Sequence, residues 1–411
     1  MLKTLFSPIT IKGKTMKNRL AVSPMVTNYC NEDGTCTEMF SAYHEAKAKG
    51  GFGMIITEDF AVRPRGKGFK HLPGLWNDEQ IPGFKEFTKR IHKHDTVLIA
   101  QIYHAGRQSS KMVLGQVPEA PSAIPCPFSP DMPEEMSIEE IKKIITEFGD
   151  CARRAEEAGF DGIEVHGAHG YLISQFMSSY TNKRTDEYGG SLQNRIRFAV
   201  EVVKDIRSKV SKDFIVGYRI SADEYVTGGR NIGDTMTIVP FLEEAGIDYI
   251  HVSAGVYRSF DDIIPSQYRG HSWNTQAAEE IKKMTKLPVI SVGRINDPRL
   301  AETIIASGKA DIVAMGRQSL TDPETPNKAK GGRFDEIRNC IACHHGCVKN
   351  LLNNVPIQCI LNPNLGRESE VSLEKTEAPK NIMVIGSGPA GLEAAITAAS
   401  RGHRVKVFEK N

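Results

Sequence analysis

The feature that most constrains the fold is an alternation of short apolar segments with longer amphipathic segments over the first 320 or so residues. Eight short segments are rich in Val and Ile and apolar at consecutive positions, as in strands buried on both faces of a parallel sheet. They are 19–23, 54–57, 97–101, 163–166, 214–219, 249–252, 289–292 and 312–315. Eight regular strand–helix repeats predict an α/β fold of the TIM (β/α)₈ barrel type rather than a doubly wound open sheet.

Local signals for helices lie between the predicted strands. Ser137 and Glu140 form a capping box ahead of a helical segment that ends at Gly159. Asp297, followed by Pro298, marks the start of another helix. Helical spacing also recurs over 79–94, 192–209 and 274–285.

The chain divides into three predicted regions. Residues 1–335 form the barrel, residues 336–378 form a cysteine-containing segment and a polar linker, and residues 379–411 read as strand, Gly-rich turn, helix and strand. This last region is the first βαβ unit of a nucleotide-binding domain. Because one βαβ unit cannot bury a core of its own, we expect the chain to be the front part of a longer protein.

Charge and hydropathy exclude several classes of partner. The chain has 52 basic and 50 acidic residues and a net charge of +2, which leaves no footprint for nucleic acid or a membrane surface. No apolar run approaches the roughly 20 residues that span a bilayer, and the N-terminus lacks a signal-peptide core. We therefore expect a cytoplasmic protein that acts on a small molecule, and the sequence is compatible with a homo-oligomer.

Functional residues of a barrel enzyme lie where the strands end and the following loops begin. The residues at the predicted strand ends are Pro24, Met25, Thr27, Gln101, His166, His169, Tyr171, Arg219, Gly293, Arg294, Gly316 and Arg317. The Gly–Arg pair after each of the last two strands suits a phosphate, because glycine lets backbone N–H groups approach and arginine supplies a charged fork. The alternative is that both arginines form ion pairs at the surface.

His166 and His169 are three residues apart in a predicted loop. They suit hydrogen bonding to a substrate, half of a metal site, or a buried structural pair. Two histidines alone leave a zinc ion short of its usual three or four ligands, which disfavours the metal. Tyr171 follows in the same loop and suits either a general acid or a packing role.

Four of the eight cysteines fall within twenty residues. Such clustering in a reduced compartment indicates metal ligation rather than disulfides. The four are Cys340, Cys343, Cys347 and Cys359, spaced C-x₂-C-x₃-C-x₁₁-C. This spacing leaves an iron–sulfur cluster and a structural zinc ion both open, and His344 and His345 offer alternative zinc ligands.

The last region contains a G-x-G-x-x-G turn between a predicted strand and helix. Its glycines are Gly386, Gly388 and Gly391, and Glu409 ends the next predicted strand. In this context the turn indicates dinucleotide binding, with the acidic residue placed for a ribose 2′-hydroxyl.

The segments HGAHGYLISQF and NKRTDEYGGSLQNRIRF resemble the signature of the Old Yellow Enzyme family, and the match runs from NRLAVSPM to VAMGRQSL. CIACHHGC, Cys359 and NPNLGRE, followed by the Gly-rich turn, are similar to the long multi-cofactor branch. That branch includes 2,4-dienoyl-CoA reductase, 2-enoate reductase and the bile-acid-type steroid reductases.

The resemblance implies noncovalent FMN on the barrel. It places Thr27 near flavin N5 and O4, Gln101 at the pyrimidine edge, and Arg219 near N1 and O2, where positive charge stabilises reduced flavin. It assigns the phosphate to Gly293, Arg294, Gly316 and Arg317. Val26 stands where some relatives carry a redox-tuning cysteine.

The resemblance also implies that the four cysteines hold a [4Fe–4S] cluster and that the Gly-rich turn holds FAD. Electrons would pass from NAD(P)H through FAD and the cluster to FMN, and then as hydride from N5 to the substrate β-carbon. The histidine pair would hold the substrate carbonyl or carboxylate oxygen, and Tyr171 would protonate the α-carbon.

These expectations define an ene-reductase of activated C=C bonds in enoates, enones, enoyl-CoA esters or oxo-steroids. The loop after the sixth strand, SAGVYRSFDDIIP, lacks the histidine of dienoyl-CoA reductase, which disfavours dienoyl-CoA. The alternative is an amine-dehydrogenase-like flavoprotein that passes electrons to a partner. We also expect Asp186 and Arg195 to lock the loop beneath the site through an ion pair.

Overall fold

The structure, a computed structural model, describes residues 2–371 and 374–410. It divides into two compact units, Met1–Gly366 and Arg367–Asn411. Most of the cysteine segment therefore belongs to the first unit, whereas the sequence predicted a separate region over 336–378. The physical reason is apolar burial, because Ile357 and Leu365 pack into the main hydrophobic core.

The first unit is a closed barrel of eight parallel strands in sequence order. The strands are β1 (Leu20–Val22), β2 (Met54–Ala61), β3 (Val97–Tyr103), β4 (Gly162–Gly167), β5 (Ile215–Ser221), β6 (Tyr249–Ser253), β7 (Val289–Ser291) and β8 (Ile312–Ala314). Val313 of β8 pairs with Leu20 of β1 and closes the barrel. All eight predicted strands are confirmed, and β2 continues beyond the predicted end at residue 57.

Helices follow the strands and surround the barrel. They are α1 (Glu38–Lys49), α2 (Ile81–His92), α3 (Lys111–Leu114), α4 (Ile138–Glu157), α5 (Leu172–Met177), α6 (Leu192–Lys209), α7 (Ile232–Ala245), α8 (Phe260–Ile263), α9 (Thr275–Lys282), α10 (Pro298–Ala306), α11 (Arg317–Thr321), α12 (Thr325–Lys330) and α13 (Val348–Leu352). Both predicted N-cap residues are present, since Ser137 accepts from Glu140 N and Asp297 accepts from Arg299 N. The predicted capping box is incomplete, because the Glu140 side chain bonds to Arg63 rather than to the backbone of Ser137.

Two apolar layers hold the barrel together. Inside it, Met54, Ile99 and Ile290 pack with Ile11 and Met16, which come from a short hairpin of Ile9–Ile11 and Lys14–Met16. Outside it, the other strand faces pack against the helices in a larger core. Strands buried on both faces explain why the sequence shows continuous apolar runs instead of alternation.

The RTDEYGGS loop follows a different pairing from the predicted one. Asp186 pairs with Arg184, whose Nη2 lies 2.5 Å from Oδ2. Arg195 instead donates to the carbonyl oxygens of Met177 and Gly190. The expected Asp186–Arg195 pair is wrong. The carboxylate of Asp186 bonds to Arg184, which is only two residues away, and Arg195 is held by backbone carbonyl groups.

The second unit contains two parallel strands, β9 (Asn381–Ile385) and β10 (Arg404–Phe408), joined by α14 (Pro389–Ser400). This is the predicted βαβ unit. Across the residues that the structure describes, none of the helices combines the length and apolar character needed to cross a membrane.

Candidate active site

An open cavity lies among residues at the carboxyl ends of the barrel strands and their loops. The predicted residues that line it are Pro24, Met25, Gln101, His166, His169, Tyr171, Arg219, Gly293, Arg294, Gly316 and Arg317. Residues as distant along the chain as Pro24 and Arg317 meet in this cavity because the strands are parallel and close into a barrel.

Thr27 is the exception among the predicted barrel residues. It does not line the cavity, and its side chain is fully buried. Its hydroxyl and its backbone N–H both donate to the carboxyl of Glu58, so its hydroxyl is turned towards that residue. Val26, the preceding residue, lines the cavity instead.

A buried carboxylate orients the amide of Gln101. Gln101 Nε2 donates to Glu164 Oε1 over 2.7 Å, which leaves the amide oxygen of Gln101 available to accept from another group. Tyr249 and His251 bond to the other oxygen of Glu164 at 3.1 and 3.0 Å. Burial works to raise the pKa of Glu164, but His251 and Arg219 outweigh it and hold that pKa below its usual value. The carboxylate of Glu164 is therefore a buried negative charge in contact with the amide of Gln101.

Two arginines in the cavity carry nitrogens without partners among the described residues. The Nε atoms of Arg219 and Arg294 are buried and make no hydrogen bond, although both side chains line the cavity. Burial lowers the pKa of Arg219, against the nearby carboxylates of Glu164 and Asp59. Buried Nε atoms without partners, on arginines that line an open cavity, fit an anionic, hydrogen-bonding ligand such as a flavin nucleotide.

The backbone after β7 adopts the left-handed region at two consecutive residues. Gly293 has a φ of 140° and Arg294 a φ of 56°. For a side chain as long as arginine this conformation is uncommon, and it is found at functional sites where the surroundings stabilise it. It supports a binding role for Arg294 rather than the surface ion pair considered from sequence.

His166 and His169 contact each other, and the network fixes their tautomers. Ala168 N–H donates to His166 Nδ1 at 3.2 Å, so a neutral His166 carries its proton on Nε2. That proton faces His169 Nδ1 at 3.2 Å, and His169 Nε2–H then donates to Ser253 Oγ at 2.6 Å. Burial and Arg219 lower both pKa values, so both rings are neutral hydrogen-bond donors.

Tyr171 lies beside this pair, with its ring edge-on to His166 at a centroid distance of 4.8 Å. Its hydroxyl is 3.1 Å from that of Tyr257, in the loop after β6. Burial raises the pKa of Tyr171 well above its usual value, and the phenol stays protonated near neutral pH.

Tyr257 and Asp59 also line the cavity, although the sequence did not predict either as a site residue. Asp59 is 4% exposed, with Oδ1 3.9 Å from His166 Nε2. It could have been found by the strand-end rule if β2 had not been ended at residue 57. Tyr257 carried no local signal, since only the tertiary fold brings its loop to Tyr171.

The four clustered cysteines line a second, smaller cavity. Cys340 and Cys347 also line the first cavity, as do Arg317 and Leu320. Ala342 N–H lies 3.4 Å from Cys340 Sγ, and Thr321 Oγ1 lies 3.6 Å from Cys359 Sγ. A set of four soft thiols with donors near two of the sulfurs fits an iron–sulfur cluster.

The thiols are unpaired, and no disulfide joins the cysteines that the structure describes. Over the same residues, no group of three or more His, Cys, Asp or Glu side chains is arranged to hold a single metal ion. Arg317 donates to His344 Nε2 at 2.8 Å, which holds that imidazole as an acceptor beside the thiols.

In the second unit, the Gly-rich turn has the backbone that the motif requires. Gly386 has a φ of 100°, and a Cβ on Gly391 would lie 2.0 Å from Gly386 O. Gly388 caps α14. Glu409 Oε2 accepts from the N–H and hydroxyl of Ser387 at 2.7 and 3.0 Å. The predicted acidic residue therefore lies at the turn.

The fold and the cavity define a closed parallel (β/α)₈ barrel with Arg219 of β5 and the arginines after β7 and β8 in one cavity, an arrangement that suits a flavin nucleotide. Residues 4–336 match the model of the NADH:flavin oxidoreductase / NADH oxidase family, and residues 381–411 match an FAD binding domain. The chain belongs to the NADH:flavin oxidoreductase / NADH oxidase family.

Several known proteins are similar over nearly the whole chain. An NADH oxidase of Thermoanaerobacter brockii is 45% identical over 99% of this chain and 63% of its own length. A cinnamate reductase of Clostridium sporogenes is 37% identical over 100% of this chain and 65% of its own length. A solved 2-naphthoyl-CoA reductase complex is 32% identical with a TM-score of 0.96, over 100% of this chain and 65% of the other. The chain thus spans less than two thirds of the length of these relatives.

Proposed function

We propose that the protein is an NAD(P)H-dependent reductase of C=C bonds activated by a neighbouring carbonyl group. The observation that carries the proposal is the convergence of His166, His169 and Tyr171 in the cavity that also holds Arg219. Relatives whose names specify cinnamate and 2-naphthoyl-CoA reduction support this reaction class.

FMN is the cofactor that we propose for the cavity. Gln101 and Arg219 would hold its pyrimidine edge, with Pro24 and Met25 beside the ring system. Its phosphate would be held by Gly293, Arg294, Gly316 and Arg317. The unpaired Nε atoms of Arg219 and Arg294 support this placement.

The remaining cofactors follow the same scheme. Cys340, Cys343, Cys347 and Cys359 would hold a [4Fe–4S] cluster, and Gly386, Gly388, Gly391 and Glu409 would hold FAD. When bound, FMN would supply the chemistry of hydride transfer to an activated alkene, and the cluster would supply single-electron exchange between two flavins.

The histidine pair would polarise the substrate. Both rings are neutral, and each N–H already has an acceptor, so a substrate oxygen would replace His169 Nδ1 or Ser253 Oγ as an acceptor. A hydrogen bond to the carbonyl oxygen withdraws electron density from the β-carbon and stabilises the negative charge that develops on that oxygen.

Tyr171 would supply the proton to the α-carbon. Burial raises its pKa, which keeps the phenol protonated until the developing carbanion draws the proton away. The Tyr257 hydroxyl lies within hydrogen-bond distance and would be the partner from which Tyr171 regains a proton.

A second candidate is oxidation of an amine. It is favoured by the carboxyl of Asp59 and the aromatic rings of Tyr171, Tyr257 and Phe260 in the same cavity, because such a group of side chains can hold a cation. The histidine pair disfavours it, since amine oxidation needs no carbonyl activation.

An anaerobic mixing experiment tests both candidates. Reduced, FMN-loaded protein is mixed with an α,β-unsaturated ketone, and oxidised protein is mixed with a secondary amine. Reoxidation of the flavin by the ketone supports the reductase. Flavin reduction by the amine, with no reoxidation by the ketone, would replace it with the second candidate.

A further inference from the structure

An irregularity in β2 turns two consecutive acidic residues to different neighbours. Thr57 pairs with Ala100 and Phe60 pairs with Ile102, so Glu58 and Asp59 together face one residue of β3. Such bulges often re-aim side chains beside active sites. Here Glu58 accepts from Thr27, whereas Asp59 lines the cavity.

The carboxyl of Asp59 is enclosed but has no partner. It is 4% exposed, and across residues 2–371 and 374–410 no donor lies within hydrogen-bond distance of its oxygens. His166 Nε2 is 3.9 Å away, too far for a hydrogen bond. The titratable and charged groups around it come from strands β2, β3, β4 and β5 and two loops: Glu58, Tyr103, Glu164, His166, Arg219, Tyr171 and Tyr257.

Arg219 is the strongest cation acting on this carboxyl, and Glu164 opposes it. Burial outweighs Arg219 and raises the pKa of Asp59 to about 7. The carboxyl therefore becomes ionised as the pH rises through neutrality. An anionic substrate group placed beside it would then meet a like charge in a site with little water to screen it.

We propose that Asp59 is a specificity-determining residue that admits alkenes activated by an uncharged carbonyl group, such as ketones and thioesters, and rejects free carboxylates. The inference rests on the proposed function, because it places the activating group of the substrate at His166. An oxygen that accepts from His166 Nε2 lies within about 7 Å of Asp59 Oδ1, since these two protein atoms are 3.9 Å apart and a hydrogen bond adds about 3 Å.

Equilibrium binding tests this without relying on turnover. Oxidised, FMN-loaded protein is titrated calorimetrically at pH 8 with 4-phenylbutan-2-one and with 3-phenylpropanoate, which differ mainly in the charge of one end. We expect the ketone to bind at least about tenfold more tightly, and this ratio to shrink at least about tenfold in Asp59→Asn, because a like-charge repulsion is removed. Asp59→Glu is the matched control that keeps the charge, and it should keep a preference for the ketone.

The pH dependence adds a second readout. Below pH 6 the carboxyl of Asp59 is protonated, so the wild-type preference for the ketone should weaken, and Asp59→Asn should show no such change. Flavin absorbance checks that each variant still binds FMN. If Asp59→Asn loses FMN, Asp59→Ala is titrated in its place.

Turnover separates this inference from the proposed function. Reduced protein is mixed with cinnamate and with (E)-4-phenylbut-3-en-2-one. If the ratio of ketone affinity to carboxylate affinity is the same in Asp59→Asn and in the wild type, the inference is overturned, even if the ketone is reduced. If neither alkene is reduced, the proposed function is overturned. If the affinity ratio still falls at least about tenfold in Asp59→Asn, the binding preference is supported all the same.

Discussion

The hydroxyl oxygens of Tyr171 and Tyr257 lie 3.1 Å apart although the residues come from the loops after β4 and β6. Tyr171 is 6% exposed, whereas Tyr257 is half-buried at the edge of the cavity. If Tyr171 is the proton donor that we propose, Tyr257 is its hydrogen-bond partner.

Replacing Tyr171 by Phe should slow turnover by roughly 10²–10⁴, the usual range for loss of a general acid. Ligand binding and flavin reduction should be unchanged, because the ring and its packing remain. The measurement is single-turnover oxidation of photoreduced protein by an enone. Product formation at the wild-type rate would assign the proton to water or another side chain.

The control for this experiment is Tyr257→Phe. It keeps the phenol of Tyr171 but removes its hydrogen-bond partner, so the first turnover should be little affected. Repeated turnover should slow and show a larger solvent isotope effect, because Tyr171 must then be reprotonated directly by water.

Replacing His169 by Ala should lower the rate by roughly 10²–10³, the usual cost of removing a donor that stabilises developing negative charge. His169→Asn should be milder, because an amide N–H can still donate. Both kcat and the affinity for a carbonyl ligand are measured. Equal losses in the two variants would indicate that His169 supports the loop rather than the substrate.

The purified protein should contain iron and acid-labile sulfide. Cys343→Ala should lose iron while keeping FMN, because Cys343 lines the cysteine cavity but not the flavin cavity. Cys36→Ala is the control, since Cys36 lines neither cavity, and it should keep its iron. Stoichiometric zinc without iron after anaerobic purification would contradict the cluster.

Glu58 should make the protein less stable as the pH rises. Burial raises its pKa to about 8 from a usual value near 4.5, so between these pH values the folded state binds a proton that the unfolded state has released. The contribution of Glu58 to stability therefore falls as the pH rises from about 4.5 to 8. Urea unfolding at pH 5.5 and pH 8 should show a smaller decrease for Glu58→Gln than for wild type. Equal decreases would show that Glu58 is already ionised in the folded protein.

Amino-acid order alone was enough to predict the barrel, because each strand is buried on both faces and each repeat carries its own apolar signal. It also located the arginines after β7 and β8 and the cysteine quartet, since these lie in short local motifs. The βαβ turn was predicted for the same reason.

The three-dimensional packing was needed for Thr27, Asp59 and Tyr257. One extra residue in β2 determines that Glu58 bonds to Thr27 while Asp59 enters the cavity, and a residue count along one strand cannot show a bulge that exists only relative to β3. The contact between Tyr171 and Tyr257 spans 86 residues of chain. It depends on closure of the barrel, which places loops that are distant in sequence around one cavity.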